Sequence, residues 1–328
     1  MNDTDTPSRE PFQIPVDDAV LPFAVAALDV RGRVARLGSA LDAILSQHDY
    51  PAPVAKLLGE AIVLTVLLGA SLKFDGRFIL QTQTDGPVRM LVVDYRSAGQ
   101  IRAYAQFDAA KIAPAGEQTA GDLLGRGHLA MTIDQGPEMN RYQGLVALAG
   151  GDLEAAAHEY FLRSEQIPTR VRLAVAQELR PSTSGLQQRW RAGGLILQFL
   201  PKSAERMRGP DLDPGDAPDG TVPHEVAEDD AWVEGQALIA TLTDIELVDP
   251  DLSSDRLLFR LFHEHGVRVF RSARIEAKCS CSRDRVETIL RSFSAEDRRD
   301  MVENGRIVVT CEFCNTRYEL DPASIGAE

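Results

Sequence analysis

The sequence predicts an α+β fold. An N-terminal core with a large, mostly antiparallel sheet and helices is followed by a helical linker and a small C-terminal module. Three observations carry this. Alternating apolar and polar runs between Arg77 and Leu148 are broken at Asp85-Gly86-Pro87 and Asp134-Gln135-Gly136-Pro137, the pattern of antiparallel hairpins. The stretch from Val54 to Leu72 is apolar on most sides, as a helix inside a domain must be. All four cysteines fall in the last fifth of the chain, as Cys279-Ser280-Cys281 and Cys311-Glu312-Phe313-Cys314.

In chain order, residues 1–19 are polar and acidic and predict a flexible tail. Val20 to Val30 predicts a strand, and Arg33 to Gln47 a helix with Leu37, Leu41, Ile44 and Leu45 on one face. The buried helix from Pro53 to about Ser71 comes next. Strands are expected at Phe78–Thr84, Val88–Tyr95, Ile101–Phe107, Leu129–Ile133 and Arg141–Leu148. Asp152 can cap a helix running to about Arg163, because its carboxylate can accept from the free amides of the first turn. Val171–Glu178 and Gly194–Leu200 complete a core spanning 20–201.

Residues 202–230 are dominated by Pro, Gly and acid and predict a disordered insertion, with too little apolar surface to offset ordering entropy. Trp232–Leu247 and Leu252–His265 predict amphipathic helices of a linker over 231–275, whose apolar faces require a partner surface. The module occupies 276–328.

The balance of 35 Lys plus Arg against 49 Asp plus Glu, net charge −14, argues against nucleic-acid binding, which needs clustered cations. Lys56 and Glu60 interrupt the Val54–Leu72 run, so a membrane span is not expected. The polar N-terminus is not a signal peptide, and a cytoplasmic protein is expected.

Cys-x-Cys and Cys-x-x-Cys on two loops can each supply a sulfur pair to one tetrahedral ion, and soft thiolates select zinc or an iron–sulfur centre. A reducing compartment disfavours structural disulfides. His263 and His265 stand close upstream, but Cys279, Cys281, Cys311 and Cys314 already complete a four-coordinate set. His48, His128 and His158 are isolated and are expected to be packing or surface residues, Gly150-Gly151-Asp152 lacks the spacing of a phosphate loop, and Ser164-Glu165-Gln166 receives no role.

The chain resembles the thirty-three-kilodalton heat-shock chaperones of bacteria, the redox-regulated holdases, from about Phe23 to Ile325. The resemblance rests on His48-Asp49-Tyr50-Pro51, Leu72-Lys73-Phe74-Asp75-Gly76, Asp85-Gly86-Pro87, Arg141-Tyr142-Gln143-Gly144, and Tyr160-Phe161 with Arg163-Ser164-Glu165-Gln166. Pro168-Thr169-Arg170 and Cys279-Ser280-Cys281-Ser282-Arg283 complete it.

The resemblance implies a core that binds clients and dimerises, a linker lying over it, and a redox switch holding one zinc through Cys279, Cys281, Cys311 and Cys314 in the reduced form. It further implies that oxidation joins the cysteines as two disulfides, Cys279 with Cys281 and Cys311 with Cys314, releasing zinc and unmasking a surface for unfolding proteins. Homodimerisation on oxidation is implied, and enzymatic activity, nucleic acid and membrane are not. The insertion and the long tail depart from the family but lie outside these motifs. Residue chemistry agrees: zinc-bound thiolates are the form an oxidant attacks, and the wider Cys311–Cys314 spacing predicts the easier bridge. A static zinc-ribbon adaptor or nucleic-acid binder is the alternative, predicting a metal indifferent to peroxide. A catalytic zinc needs an open position that four thiolates do not leave.

Overall fold

The structure, a computed structural model, describes residues 17–71, 75–113, 118–136, 139, 141–182, 185–202 and 228–326. Most of the expected tail 1–19, most of the acidic insertion 202–230, and Leu72-Lys73-Phe74 of the family motif lie outside the described residues.

The chain enters through β1 (Ala19–Val25) and β2 (Val30–Leu37), then helices α1 (Ser39–Leu45) and α2 (Ala52–Gly69). A meander follows, β3 (Arg77–Thr84), β4 (Val88–Arg96) and β5 (Gln100–Phe107), then α3 (Ala120–Leu124), β6 (Arg126–Asp134) and β7 (Tyr142–Ala149). Helix α4 (Leu153–Tyr160) leads to the long hairpin of β8 (Thr169–Ser182) and β9 (Gly185–Phe199). The linker segment holds α5 (Asp230–Ala240), α6 (Asp244–Val248) and α7 (Ser254–Phe262), and three two-residue strands, β10 (Arg268–Val269), β11 (Ala273–Arg274) and β12 (Glu276–Ala277). The module has α8 (Arg283–Arg291), α9 (Ala295–Asp300), β13 (Val302–Glu303), β14 (Arg306–Thr310) and β15 (Arg317–Leu320).

The expected large antiparallel sheet is in fact two six-stranded sheets. The first runs β10-β1-β2-β9-β8, with β11 also on β1; the second runs β12-β5-β4-β3-β6-β7. Every pairing is antiparallel except β12 on β5. Helix α2 lies between the sheets, and one apolar cluster joins it to Val20, Ala35 and Ile196 of the first and Leu80, Val93 and Ala103 of the second. This explains why α2 is apolar on most sides: it is an interior layer, and although long and apolar enough to cross a bilayer, it is 78% buried here. Each buried leucine along it contributes about 1.5–3 kcal/mol.

The other face of the first sheet is covered by α5, α6 and α7. Leu21, Phe23, Val30, Val34, Leu195 and Leu197 pack there against Trp232, Ile239, Leu247, Leu258 and Phe262. Phe23 and Phe262 rings lie 5.6 Å apart. The helix expected from Arg33 therefore begins only at Ser39, and 30–37 is a strand paired with both β1 and β9. The cause is burial on both faces. Val34 enters the linker-side cluster while Ala35 and Leu37 enter the α2-side cluster, so no simple alternation remains to mark a strand.

The expected Trp232–Leu247 helix breaks after Ala240, because the Thr243 hydroxyl accepts from the Glu246 amide and starts α6. The Asp152 cap forms as expected: its carboxylate accepts from Ala155 N at 2.8 Å.

Candidate metal centre

Two loops converge. Cys279 and Cys281 follow β12, and Ser282 caps α8 by accepting from Arg285 N at 3.2 Å, so this pair is fixed between a strand and a helix start. Cys311 and Cys314 occupy the turn between β14 and β15, where Asn315 adopts φ 54° and donates its amide to Cys311 O at 2.8 Å.

All four Sγ atoms lie within 4.8 Å of one another; Cys279 and Cys311 are 3.7 Å apart and Cys281 and Cys314 3.3 Å. A tetrahedron with metal–sulfur bonds of about 2.3 Å has edges of about 3.8 Å, so the donor set fits an ion of zinc's size and preference. The surrounding groups fit sulfur anions. Tyr318 Oη donates to Cys281 Sγ at 3.1 Å, Arg102 Nη1 points at Cys279 Sγ at 3.8 Å, and Thr316 Oγ1 lies 3.2 Å from Cys314 Sγ.

Burial pushes the Cys281 thiol up to about 12 and raises Cys311 as well. Burial also works upward on Cys314, but hydrogen bonds to the side chain and backbone of Thr316 outweigh it and bring that thiol down to about 7. The hydrogen bond to Cys281 pushes Tyr318 up to about 12. Cys314 therefore ionises readily while Cys281 and Cys311 resist, and positive charge among the sulfurs would favour shedding those protons.

Around this centre the module buries little. Its apolar cluster is Leu290, Ile307, Leu320 and Ile325, with Val286, Val302 and Val309 at the edge. A core of that size is marginal without a staple.

The centre sits on the core. Glu276 N donates to Gly99 O and Lys278 N to Ile101 O, both at 2.9 Å, carrying the chain along β5 to Cys279. Arg102 lies over the Phe313 ring at 4.0 Å and pairs with Asp94, which Arg77 also holds at 2.7 Å. Asn315 Nδ2 donates to Gln47 O at 3.2 Å.

The linker segment is held by buried cations. Arg36, 1% exposed, donates to the carbonyls of Glu246, Asp249 and Leu252. Arg191 donates to Val248 O at 2.9 Å and pairs with Asp17. At Gly193 the backbone of β9 lies so close to α6 that a Cβ would collide with the Leu247 carbonyl.

The histidines lie elsewhere. His265 contacts Glu234 at 3.1 Å, His263 Nδ1 lies 3.1 Å from Phe259 O, and His158 Nε2 accepts from Val171 N at 2.9 Å. His48 packs between Tyr50 and Tyr104, and His128 sits opposite Gln83 and Ala147 in the second sheet. Among the described residues the group able to hold an ion is the four cysteines. Sequence reasoning missed Arg102, Arg36, Thr316 and Tyr318. Thr316 and Tyr318 had a signal, as polar residues next to Cys314, whereas Arg102 is 177 positions from Cys279 and had none.

Residues 18–321 match the family described as Hsp33 protein. The chain is 46% identical over 312 residues to the 33 kDa chaperonin of Caulobacter vibrioides (strain NA1000 / CB15N), covering 94% of this chain and 96% of that one. Identity to the 33 kDa chaperonin of Pseudomonas fluorescens (strain SBW25) is 36% over 315 residues, 95% and 94% of the two chains. In fold it is similar to the crystal structure of the 33 kDa chaperonin of Thermotoga maritima, with TM-score 0.71 and 21% identity over 94% of this chain and 96% of that one. With matches of this extent to family, relatives and fold alike, the chain belongs to the Hsp33 family.

Proposed function

We propose that this chain is a redox-regulated holdase chaperone of a reducing, cytoplasmic compartment, inactive with its thiols reduced and active when they are oxidised. The observation that carries the reading is the convergence of the four Sγ atoms on a module with almost no core of its own, docked beside a linker that covers an apolar sheet face.

Cys279, Cys281, Cys311 and Cys314 would hold zinc, whose charge keeps all four sulfurs deprotonated and ties the two loops together. Oxidation is chemistry of the chain's own sulfurs. A thiolate attacks peroxide, becomes a sulfenic acid and releases hydroxide; a second thiolate then attacks that sulfur, forming the disulfide and releasing hydroxide again. Each bridge consumes one peroxide. The proposed bridges are Cys279 with Cys281 and Cys311 with Cys314, within each loop, so neither ties the loops to each other. The donor set is then gone, and Leu290, Ile307, Leu320 and Ile325 alone do not hold the module.

Loss of the module removes the anchorage at 276–278, and heat completes the release of α5, α6 and α7. This bares Leu21, Phe23, Val30, Leu195 and Leu197 as an apolar surface for unfolding clients, and for a second copy in a homodimer.

The test uses zinc-loaded full-length protein with peroxide at elevated temperature. Expected are release of one zinc per chain, the two disulfides by peptide mapping, dimers by light scattering, and suppressed aggregation of a thermally unfolding client. Zinc release with undiminished aggregation would overturn the chaperone reading; a metal indifferent to peroxide would instead favour a static zinc-ribbon adaptor.

A further inference from the structure

At the end of the first sheet lies a cleft of about 580 Å³ with no cysteine in its lining. Its floor follows from strand register. Pro22 pairs with Arg33, Ala24 pairs with both Arg31 and Arg268, and Arg31 pairs with Gln198. Residues directly opposite share a face, so Arg31, Arg33 and Arg268 project from the same side, continuing the row that carries Ile196 into the core. Adjacent strands are about 4.8 Å apart and alternate residues about 7 Å, within reach of three convergent guanidinium arms.

Among the described residues these arginines have no counter-ion. None of the three pairs with a carboxylate of a described residue, and no such carboxylate lines the cleft, in a chain of net charge −14. Arg33 Nε is buried without a hydrogen-bond partner, and burial lowers the guanidinium from its ordinary range. An unmatched buried donor at the wall of a cleft marks a missing acceptor. Apart from Gln198 the remaining wall is apolar, with Pro22, Ala24 and the half-exposed Phe270, and Arg268 lies 5.4 Å over its ring.

We propose that this cleft binds a phosphoryl anion, with Arg31, Arg33 and Arg268 on the phosphate oxygens and Phe270 beside any organic body the ligand carries. Guanidinium forks match phosphate oxygens, and the volume is that of a small-ligand site. Such an anion would join the core, through β2, to the linker segment, through β10. That segment is otherwise held here by two residue pairs, the packing of Val267 and Val269, and the Phe270 N to Pro22 O bond of 2.9 Å. Bound ligand would therefore favour the docked linker.

Isothermal titration of reduced, metal-loaded full-length protein with pyrophosphate, and separately with ADP, tests the site. Saturable binding at one site per chain that weakens as salt rises is expected. Arg33→Gln should lower affinity at least about tenfold, and the exposed Arg31→Gln and Arg268→Gln each several-fold, while Arg285→Gln on α8 leaves it unchanged. If ADP binds more tightly than pyrophosphate and Phe270→Ala removes the difference, a nucleotide is the ligand; equal affinities assign an inorganic one. Hydrogen exchange at Phe270 should slow on binding. Absence of binding by both probes to the wild type, or binding undiminished in Arg268→Gln and Arg31→Gln, overturns the proposal. Peroxide-driven zinc release measured on the same samples reports the redox reading separately.

Discussion

The guanidinium of Arg102 lies 4.0 Å from the centre of the Phe313 ring, in the turn between Cys311 and Cys314, while its Nη1 faces Cys279 Sγ at 3.8 Å. One core side chain thus touches both cysteine loops.

Arg102→Gln is expected to loosen the docked module. It removes a cation–π contact of about 0.5–2 kcal/mol and one of the two arginines on buried Asp94. Peroxide-driven zinc release, followed with a colorimetric chelator, should be several-fold faster than in wild type. An unchanged rate with an unchanged core melting temperature would rule out Arg102 as a docking contact.

Arg36→Met is expected to free the α6–α7 turn. Three carbonyls lose a charged donor, a cost of about 2–4 kcal/mol after packing by the methionine. Hydrogen exchange over 243–262 should quicken strongly while β3 and β4 stay protected. Gly193→Ala should give the same pattern by steric means, since its Cβ would meet the Leu247 carbonyl.

Removing the metal with a chelator, or replacing Cys311 with Ser, is expected to unfold 279–326 while the two large sheets persist. Exchange protection on β14 and β15 should vanish, and readdition of zinc should restore it only in the wild type. Retained protection in the chelated protein would mean that Leu290, Ile307, Leu320 and Ile325 suffice.

Glu60 on α2 carries a pH dependence. Burial, with Glu154, Asp152 and Asp244 nearby, pushes its carboxyl up to about 7 against the pull of Lys56. The folded state thus binds its proton more tightly than the unfolded chain does. The associated stability is present below about pH 4.5 and is lost as pH rises through about 7, up to about 3 kcal/mol. Glu60→Gln should flatten the stability profile across that window and raise the melting temperature at pH 8. Because Asp244 begins α6, linker exchange should also quicken with pH in the wild type and less so in the variant.

The hairpins and the cluster of four cysteines were legible because both are local: alternation with Asp-Gly turns, and cysteines at short spacing. Residues 30–37 were not. A strand covered by α2 on one face and by α5 to α7 on the other loses the alternation that marks strands, and no local signal marks Arg36 as buried on linker carbonyls. The division into two sheets was hidden as well, since α2 is apolar on most sides whichever layers enclose it. Residues 268–277 carry no strand signature, because two-residue strands borrow their order from β1 and β5.

The pairing of Glu276–Ala277 with Gln100–Ile101 has a consequence for what the released protein offers. β5 is the last long strand at one edge of its sheet, and this short parallel segment caps one end of it. In the released state proposed above, the carbonyls of Gly99 and Ile101 would lose their partners and that rim would be open to the backbone of an extended polypeptide. Such pairing is indifferent to side-chain identity, a property suited to holding clients that share no sequence.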